Sequence, residues 1–144
     1  MKRVIISGYF NPLHGGHLNL IEAAKQLGDE LIVIVNNDAQ QLQKKGKIIL
    51  DETNRMRLMR ALRDVDEVVL SVDGDPTQIK TLAKLAKKYP DDELVFANGG
   101  DRAKNNIPEN AVCVKYKIVT VFEIGDATKF DSSTRINQAT GWQK

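Results

Sequence analysis

Apolar and polar positions come in short blocks along this chain. Branched apolar runs recur at Val4-Ile-Ile6, Leu31-Ile-Val-Ile-Val35, Val68-Val-Leu70, Leu94-Val-Phe-Ala97 and Ile118-Val-Thr-Val-Phe122. Each is too short for a buried helix and lacks a polar face, which predicts strands covered on both sides. Between them apolar residues recur at helical spacing. Leu20, Ala24 and Leu27 mark one helix, closed by Gly28. Leu58, Ala61, Leu62 and Val65 give a second helix its stripe, behind an Asp51 N-cap and Glu52. Ile79, Leu82, Ala83 and Ala86 mark a third, with Pro76 suited to its start. Residues 109–116 read as a weak helix, and Asp131 to Arg135 as the start of a last short one. Residues 39–50 show no clean period and contain a basic turn interrupted by Gly46.

Strands alternating with helices predict an α/β fold: a Rossmann-like, doubly wound, parallel five-stranded sheet in three α/β/α layers. No linker, repeat or low-complexity tract interrupts residues 1–144, so one domain is expected. In such a sheet, ligands bind beyond the carboxyl ends of the strands. The unusual residues collect at those ends: His14 and His17, Asn37 and Asp38, Asn98 to Arg102, and the segment before Ser132.

Composition narrows the classes. Hydrophobic residues at 42% and charged residues at 28% fit a globular protein and exclude disorder. A formal net charge of +2 does not call for an extended polyanion, so no nucleic-acid partner is expected. The single Cys113 excludes an internal disulfide framework and suits a reducing cytoplasm. No apolar run approaches the ~20 residues that span a bilayer, so no membrane partner is expected either.

The first strand ends at Ser7-Gly8, and Tyr9-Phe-Asn-Pro-Leu-His14-Gly-Gly-His17 leads into the first helix. A strand, a glycine-bearing loop and a helix start together make an anion site, since free N–H groups and the helix dipole face the loop. The dinucleotide and Walker glycine patterns are both absent there. His14 and His17 share one side of a helix turn. They read as a triphosphate site, as a metal pair, or as two structural histidines; the first reading organises the rest of the chain. A positive charge on His17 in the first turn is disfavoured, and a bound triphosphate would reverse that sign. Both histidines are therefore expected to become cationic donors only with nucleotide present. Gly99-Gly100 lets backbone approach a flat ligand, with Asp101 and Arg102 beside it as candidates for base, ribose or acceptor contacts. Ser132, Ser133 and Thr134 offer hydroxyls and free N–H groups to phosphates.

The stretch Gly8 to His17 resembles the His-x-Gly-His signature of the cytidylyltransferase-like nucleotidyltransferase superfamily. The resemblance extends to Lys44-Lys-Gly-Lys47, to Arg55 through Arg63, to Gly99-Gly-Asp101 and to Ser132-Ser-Thr134. It implies a single nucleotidyltransferase domain that moves CMP or AMP from a nucleoside triphosphate to a small phosphorylated acceptor, releasing pyrophosphate. By resemblance His14, His17, Lys47 and Arg63 are the catalytic candidates. Gly8, Tyr9, Phe10, Gly16, Lys45, Asn98, Gly99, Gly100, Asp101, Ser132, Ser133 and Thr134 fall to the nucleotide, and Asn11, Asp38 and Arg55 to the acceptor. No protein metal site is implied; the resemblance implies Mg²⁺ with the nucleotide and a homodimer, expected in the cytoplasm. The layout is most similar to glycerol-3-phosphate cytidylyltransferases and heptose-phosphate adenylyltransferases. Asn11 departs from the Asp usual in those enzymes and looks more like the mononucleotide adenylyltransferases. The cytidylyl reading leads. An adenylyltransferase with a sugar-phosphate, FMN or mononucleotide acceptor is the alternative, and a non-catalytic nucleotide sensor on the same fold is the rival from another class.

Overall fold

The computed structural model describes residues 1–99, 107–122 and 124. Its elements run β1 (Lys2–Gly8), α1 (Gly15–Lys25), β2 (Glu30–Val35), α2 (Asp38–Lys45), α3 (Glu52–Arg60), β3 (Glu67–Leu70), α4 (Ile79–Lys88), β4 (Glu93–Ala97), α5 (Asn110–Lys115) and β5 (Val119–Val121). Among the described residues the five strands form one parallel sheet in the order β3-β2-β1-β4-β5. The doubly wound, Rossmann-like architecture expected from the sequence is the one observed.

Alternation along the strands splits the core in two. Val4, Ile6, Leu31, Val33 and Val35 pack with Ile21 and Ala24 of α1 and Met59 of α3. Ile5, Ile32, Ile34 and Phe96 pack with Leu82 and Leu85 of α4 and Val112 of α5. Strands covered by helices on both faces need an apolar residue at every position, and each such side chain contributes about 1.5–3 kcal/mol by leaving water. The chain leaves β1 for β2 on one side and returns to β4 on the other. A crevice therefore opens at the carboxyl ends of β1 and β4, where the strand order reverses.

Two helices defeat the apolar pattern. Residues 38–45, which carry no hydrophobic period, form α2. Asn37 caps it: its side chain accepts from Gln40 N at 2.9 Å, while Gln40 Oε1 accepts from Asn37 N at 2.9 Å. The buried face of α2 is made of Gln40 and Gln41. Gln40 Nε2 donates to the carbonyls of Asp75 at 2.6 Å and Thr77 at 3.1 Å, and Gln41 Nε2 donates to that of Lys47 at 3.1 Å. Hydrogen bonds stand in for the stripe. Likewise α3 buries Arg55 and Met59, whereas Leu58, expected inside, is 42% exposed. A third helix, α4, starts later than Pro76 suggests. The buried Asp73 carboxylate accepts from Lys80 N at 2.8 Å and Thr81 N at 3.0 Å, which fixes its first turn. No helix among the described residues is long and apolar enough to cross a membrane.

Candidate active site

β1 ends at Gly8, where a Cβ would stand 2.7 Å from the Phe10 ring. Its absence lets Phe10 fold back on the strand end, buried to 1% exposure at a left-handed φ of 51°. Phe10 then meets the His17 ring edge-on, with centroids 5.0 Å apart.

The two histidines build the start of α1. His14 is its N-cap, and His14 Nδ1 accepts from Gly16 N at 3.1 Å. His17 Nδ1 accepts from His14 N at 3.1 Å, which completes a capping box made of imidazoles. A backbone N–H only donates, so both Nδ1 atoms hold a lone pair and both neutral rings carry their proton on Nε2. The rings stack with centroids 3.9 Å apart. Burial, and then the neighbouring His14, push the His17 pKa down to about 4. A second proton would have to sit on Nδ1 and displace a backbone N–H. Without nucleotide the His17 ring is therefore neutral, in keeping with the expectation that positive charge is disfavoured there, and the Nε2–H groups are the donors that the Nδ1 caps leave over.

Arg55 is fully buried and reaches four segments. Its Nε donates to Leu50 O at 2.8 Å. One Nη donates to the carbonyls of Tyr9 at 2.8 Å and Asn36 at 2.6 Å, and the other to Asp38 Oδ1 at 2.7 Å. Asn11 Oδ1 accepts from Ile49 N at 3.0 Å and Leu50 N at 2.7 Å. Arg55 and Asn11 thereby fasten the histidine loop to the segment before α3. The acceptor contacts expected of Arg55 and Asp38 give way to this clamp, because the buried Arg55 guanidinium already faces the partly exposed Asp38 carboxylate. Asn11 spends its oxygen there but still lines the cleft.

These parts enclose a cleft of about 740 Å³ at the β1–β4 crevice. Gly8, Tyr9, Phe10, His14, His17, Lys45, Asn98 and Gly99 line it, as the sequence led us to expect. Gly16 stands behind, with its N–H in the His14 cap. Asn98 commits its Nδ2 to Val121 O at 3.2 Å, so its side chain braces β4 against β5. Lys47 is exposed and away from the cleft lining, because Gly46 ends α2 in a left-handed turn (φ 72°) and turns the chain aside. Arg63 follows the end of α3 on the way to the amino end of β3, with its side chain 93% exposed. That is the opposite edge of the sheet. The eight-residue spacing that paired Arg63 with Arg55 on one helix fails because α3 stops at Arg60. Gly100, Asp101, Ser132, Ser133 and Thr134 lie outside the described residues.

Sequence reasoning missed Thr77, Gln78 and Glu109 in the cleft wall, and within the basic loop it favoured Lys45 and Lys47 over Lys44, which also lines the cleft. Lys44 places Nζ 5.6 Å from the Tyr9 ring centroid. Burial raises the Tyr9 hydroxyl pKa, so the ring stays neutral. Glu109 Oε2 accepts from Gln78 N at 2.9 Å, which joins the starts of α5 and α4. Lys44 was marked only by its place in the basic Lys44-Lys-Gly-Lys47 run; Gln78 and Glu109 carried no local signal.

A switch-point cleft with two imidazole N–H donors at a helix start and two lysines at the end of another helix defines an anion-binding, doubly wound α/β domain. Comparison with known proteins gives that class its family. The chain belongs to the cytidylyltransferase-like family, whose model matches residues 5–139. It is 41% identical over 101 residues to the FAD synthase of Pyrococcus abyssi, covering 69% of this chain and 64% of that protein. The FAD synthase of Thermoplasma volcanium is 34% identical over 136 residues, covering 94% and 92%. Glycerol-3-phosphate cytidylyltransferase of Bacillus subtilis is 45% identical over 69 residues, covering 48% and 54%. Two further FAD synthases match over 49% and 48% of their own length, so the chain spans half to two-thirds of several curated relatives. Among solved structures, the lipopolysaccharide core biosynthesis protein from Thermoplasma volcanium superposes with a TM-score of 0.66 at 30% identity, covering 85% of this chain and 93% of that one.

Proposed function

We propose that this protein is a single-domain nucleotidyltransferase that moves a nucleotidyl group from a nucleoside triphosphate to a small phosphorylated acceptor and releases pyrophosphate. The observation that carries the reading is the imidazole capping box, which aims no Nδ1 at the ligand and leaves both Nε2–H groups free to donate. An oxygen of the acceptor phosphate attacks the α-phosphorus in line as the bond to the β-phosphate oxygen breaks, and the electron pair leaves on pyrophosphate. His14 and His17 donate to the phosphoryl oxygens on which charge builds, without shedding a proton. Lys44 and Lys45 neutralise the leaving phosphates. Ser132, Ser133 and Thr134 add hydroxyls by resemblance.

Among the described residues, no three His, Cys, Asp or Glu side chains come together as a metal cage. The cleft instead offers lysines and neutral imidazoles, which suits a Mg²⁺ held by phosphate oxygens and water. When bound, that ion supplies charge neutralisation on the triphosphate. Cytidylyl transfer is the leading form of the reaction, on the layout of the α2 lysines and α3. Adenylyl transfer to FMN is the second, favoured by the FAD synthase that matches along nearly the whole chain. A cytoplasmic homodimer completes the proposal, by resemblance.

Pyrophosphate release is to be measured with CTP and with ATP, each against glycerol 3-phosphate, sugar phosphates and FMN. Turnover with one nucleotide and one acceptor class is the expected result. Nucleotide binding with no release across the panel would favour the sensor module.

A further inference from the structure

The buried residues of α2 are Gln40 and Gln41, neither of them apolar, so hydrogen bonds rather than a hydrophobic stripe fix where this helix lies. Asn37, Gln40 and Gln43 recur every three residues from its cap and share one face. Each turns its amide nitrogen to the chain that leaves β3. Asn37 Nδ2 donates to the carbonyls of Ser71 at 3.0 Å and Asp73 at 2.9 Å. Gln40 Nε2 donates to those of Asp75 and Thr77, and Gln43 Nε2 to that of Gly74 at 2.6 Å. Carbonyls at alternate positions, from Ser71 to Thr77, thus pair with two amides whose protons are all spent.

Gln40 is the fixed point of this zipper. It is fully buried, and its Oε1 accepts from Asn36 Nδ2 at 3.1 Å and from Asn37 N. Its oxygen therefore faces the helix start and its nitrogen faces residues 71–77. Both pieces that it joins end in the cleft wall. α2 ends at Lys44 and Lys45, and the chain after β3 reaches the wall at Thr77 and Gln78. Gln40 stands one turn before Lys44, about 6 Å along the axis, and Gln43 immediately precedes it. A short helix moves as a rod, so a slip at Gln40 is carried to both lysines, and about 1 Å of misplacement is enough to weaken a positioned group.

We propose that Gln40 and Gln43 are positioning residues, which hold the lysine end of α2 against the Thr77 and Gln78 wall and so set a preference for a triphosphate over a monophosphate. That role rests on the reading in which Lys44 and Lys45 meet the leaving phosphates.

Calorimetric titration of the full chain with Mg²⁺, using CTP against CMP and ATP against AMP without acceptor, tests it. The parent should bind the triphosphate of its preferred nucleotide at least about tenfold more tightly than the monophosphate, through two ammonium groups on the added phosphates. Gln40→Met should shrink that ratio at least about fivefold and Gln43→Met about threefold, with monophosphate affinity held within about twofold. A general loosening of the fold would instead weaken both nucleotides alike. Gln43 is exposed, so Gln43→Met should melt close to the parent and decides the matter if Gln40→Met does not fold. In a Lys44→Ala/Lys45→Ala background neither substitution should change the ratio further. A parent without the preference, a Gln43→Met variant that keeps it, affinities that fall together, or a further loss in the lysine-free background would each overturn the role. A Lys44→Ala/Lys45→Ala variant with the parent's ratio would sink the phosphate reading as well; a lost ratio there, with both glutamine variants at the parent's value, would overturn the positioning alone.

Discussion

The two edges of the sheet spend their charges differently. At the amino edge Arg3 donates to Asp92 at 2.7 Å and also pairs with Glu30. Lys25 meets Asp66 at 2.5 Å, and Lys88 meets Glu67 at 2.6 Å. The Arg3 hydrogen bond holds the Asp92 carboxyl below the usual range. Burial works against ionisation of Asp66, yet the Lys25 hydrogen bond and the Leu31 N–H outweigh it. At the carboxyl edge, by contrast, His14, His17, Lys44 and Lys45 have no carboxylate partner among the described residues, and burial drives the His17 pKa down to about 4. One edge pairs its ionisable groups within the fold; the other leaves these four without a carboxylate partner among the described residues, at the cleft proposed for the nucleotide. Shifted groups mark function only where no protein partner explains the shift.

The contrast breaks most sharply at the histidines. His14→Ala and His17→Ala should each cut pyrophosphate release at least ~100-fold, the scale of losing one transition-state donor. Activity within a fewfold of the parent in both variants would remove the chemistry from this edge. Arg55 is the exception to the rule, a carboxyl-edge charge spent on structure. Arg55→Met should cost about 2–3 kcal/mol in a urea melt, because it strands three carbonyls and the half-exposed Asp38. A neutral result there would mean that the clamp is not needed.

The lysines sharpen the picture further. Lys44→Ala should raise the nucleotide KM about tenfold, whereas Lys47→Ala should leave it within about twofold. The reverse order would move the phosphate site across Gly46. Acid gives the gentlest test. The folded His17 pKa of about 4 lies below its ordinary 6.5, so the unfolded chain takes the proton first. Stability from the neutral ring is full above pH 6.5 and is lost as the pH falls through about 4. The amino-edge carboxylates, with lowered pKa values, give way only below the ordinary carboxylate range. Histidine NMR titration beside circular dichroism should therefore show the α1 end loosening first; a single joint transition would erase the distinction between the edges.

What could be read from the sequence follows from where each residue finds its partners. Burial on both faces writes itself locally as an apolar run, so β1 and β2 were legible to within a residue or two. His14 and His17 were legible because cap, glycines and rings lie in one short segment. Gln40, Arg55 and Gln78 were not. Gln40 reaches the carbonyls of Asp75 and Thr77, Arg55 those of Tyr9 and Asn36, and the Gln78 N–H the Glu109 carboxylate, all distant along the chain, so their burial leaves little local trace. The choice of Lys47 over Lys44 turned on Gly46, whose left-handed turn ends α2 and was readable as a cap only once α2 itself was seen.

The imidazole capping box has a practical corollary. The same two rings fasten the first turn of α1 and supply its N–H groups to the cleft, so neither can leave its place without fraying the backbone around it. Resistance of the Asn11–Gly16 segment to a protease therefore serves as a substrate-free gauge of whether the reactive groups are intact, readable on a gel before any acceptor is known.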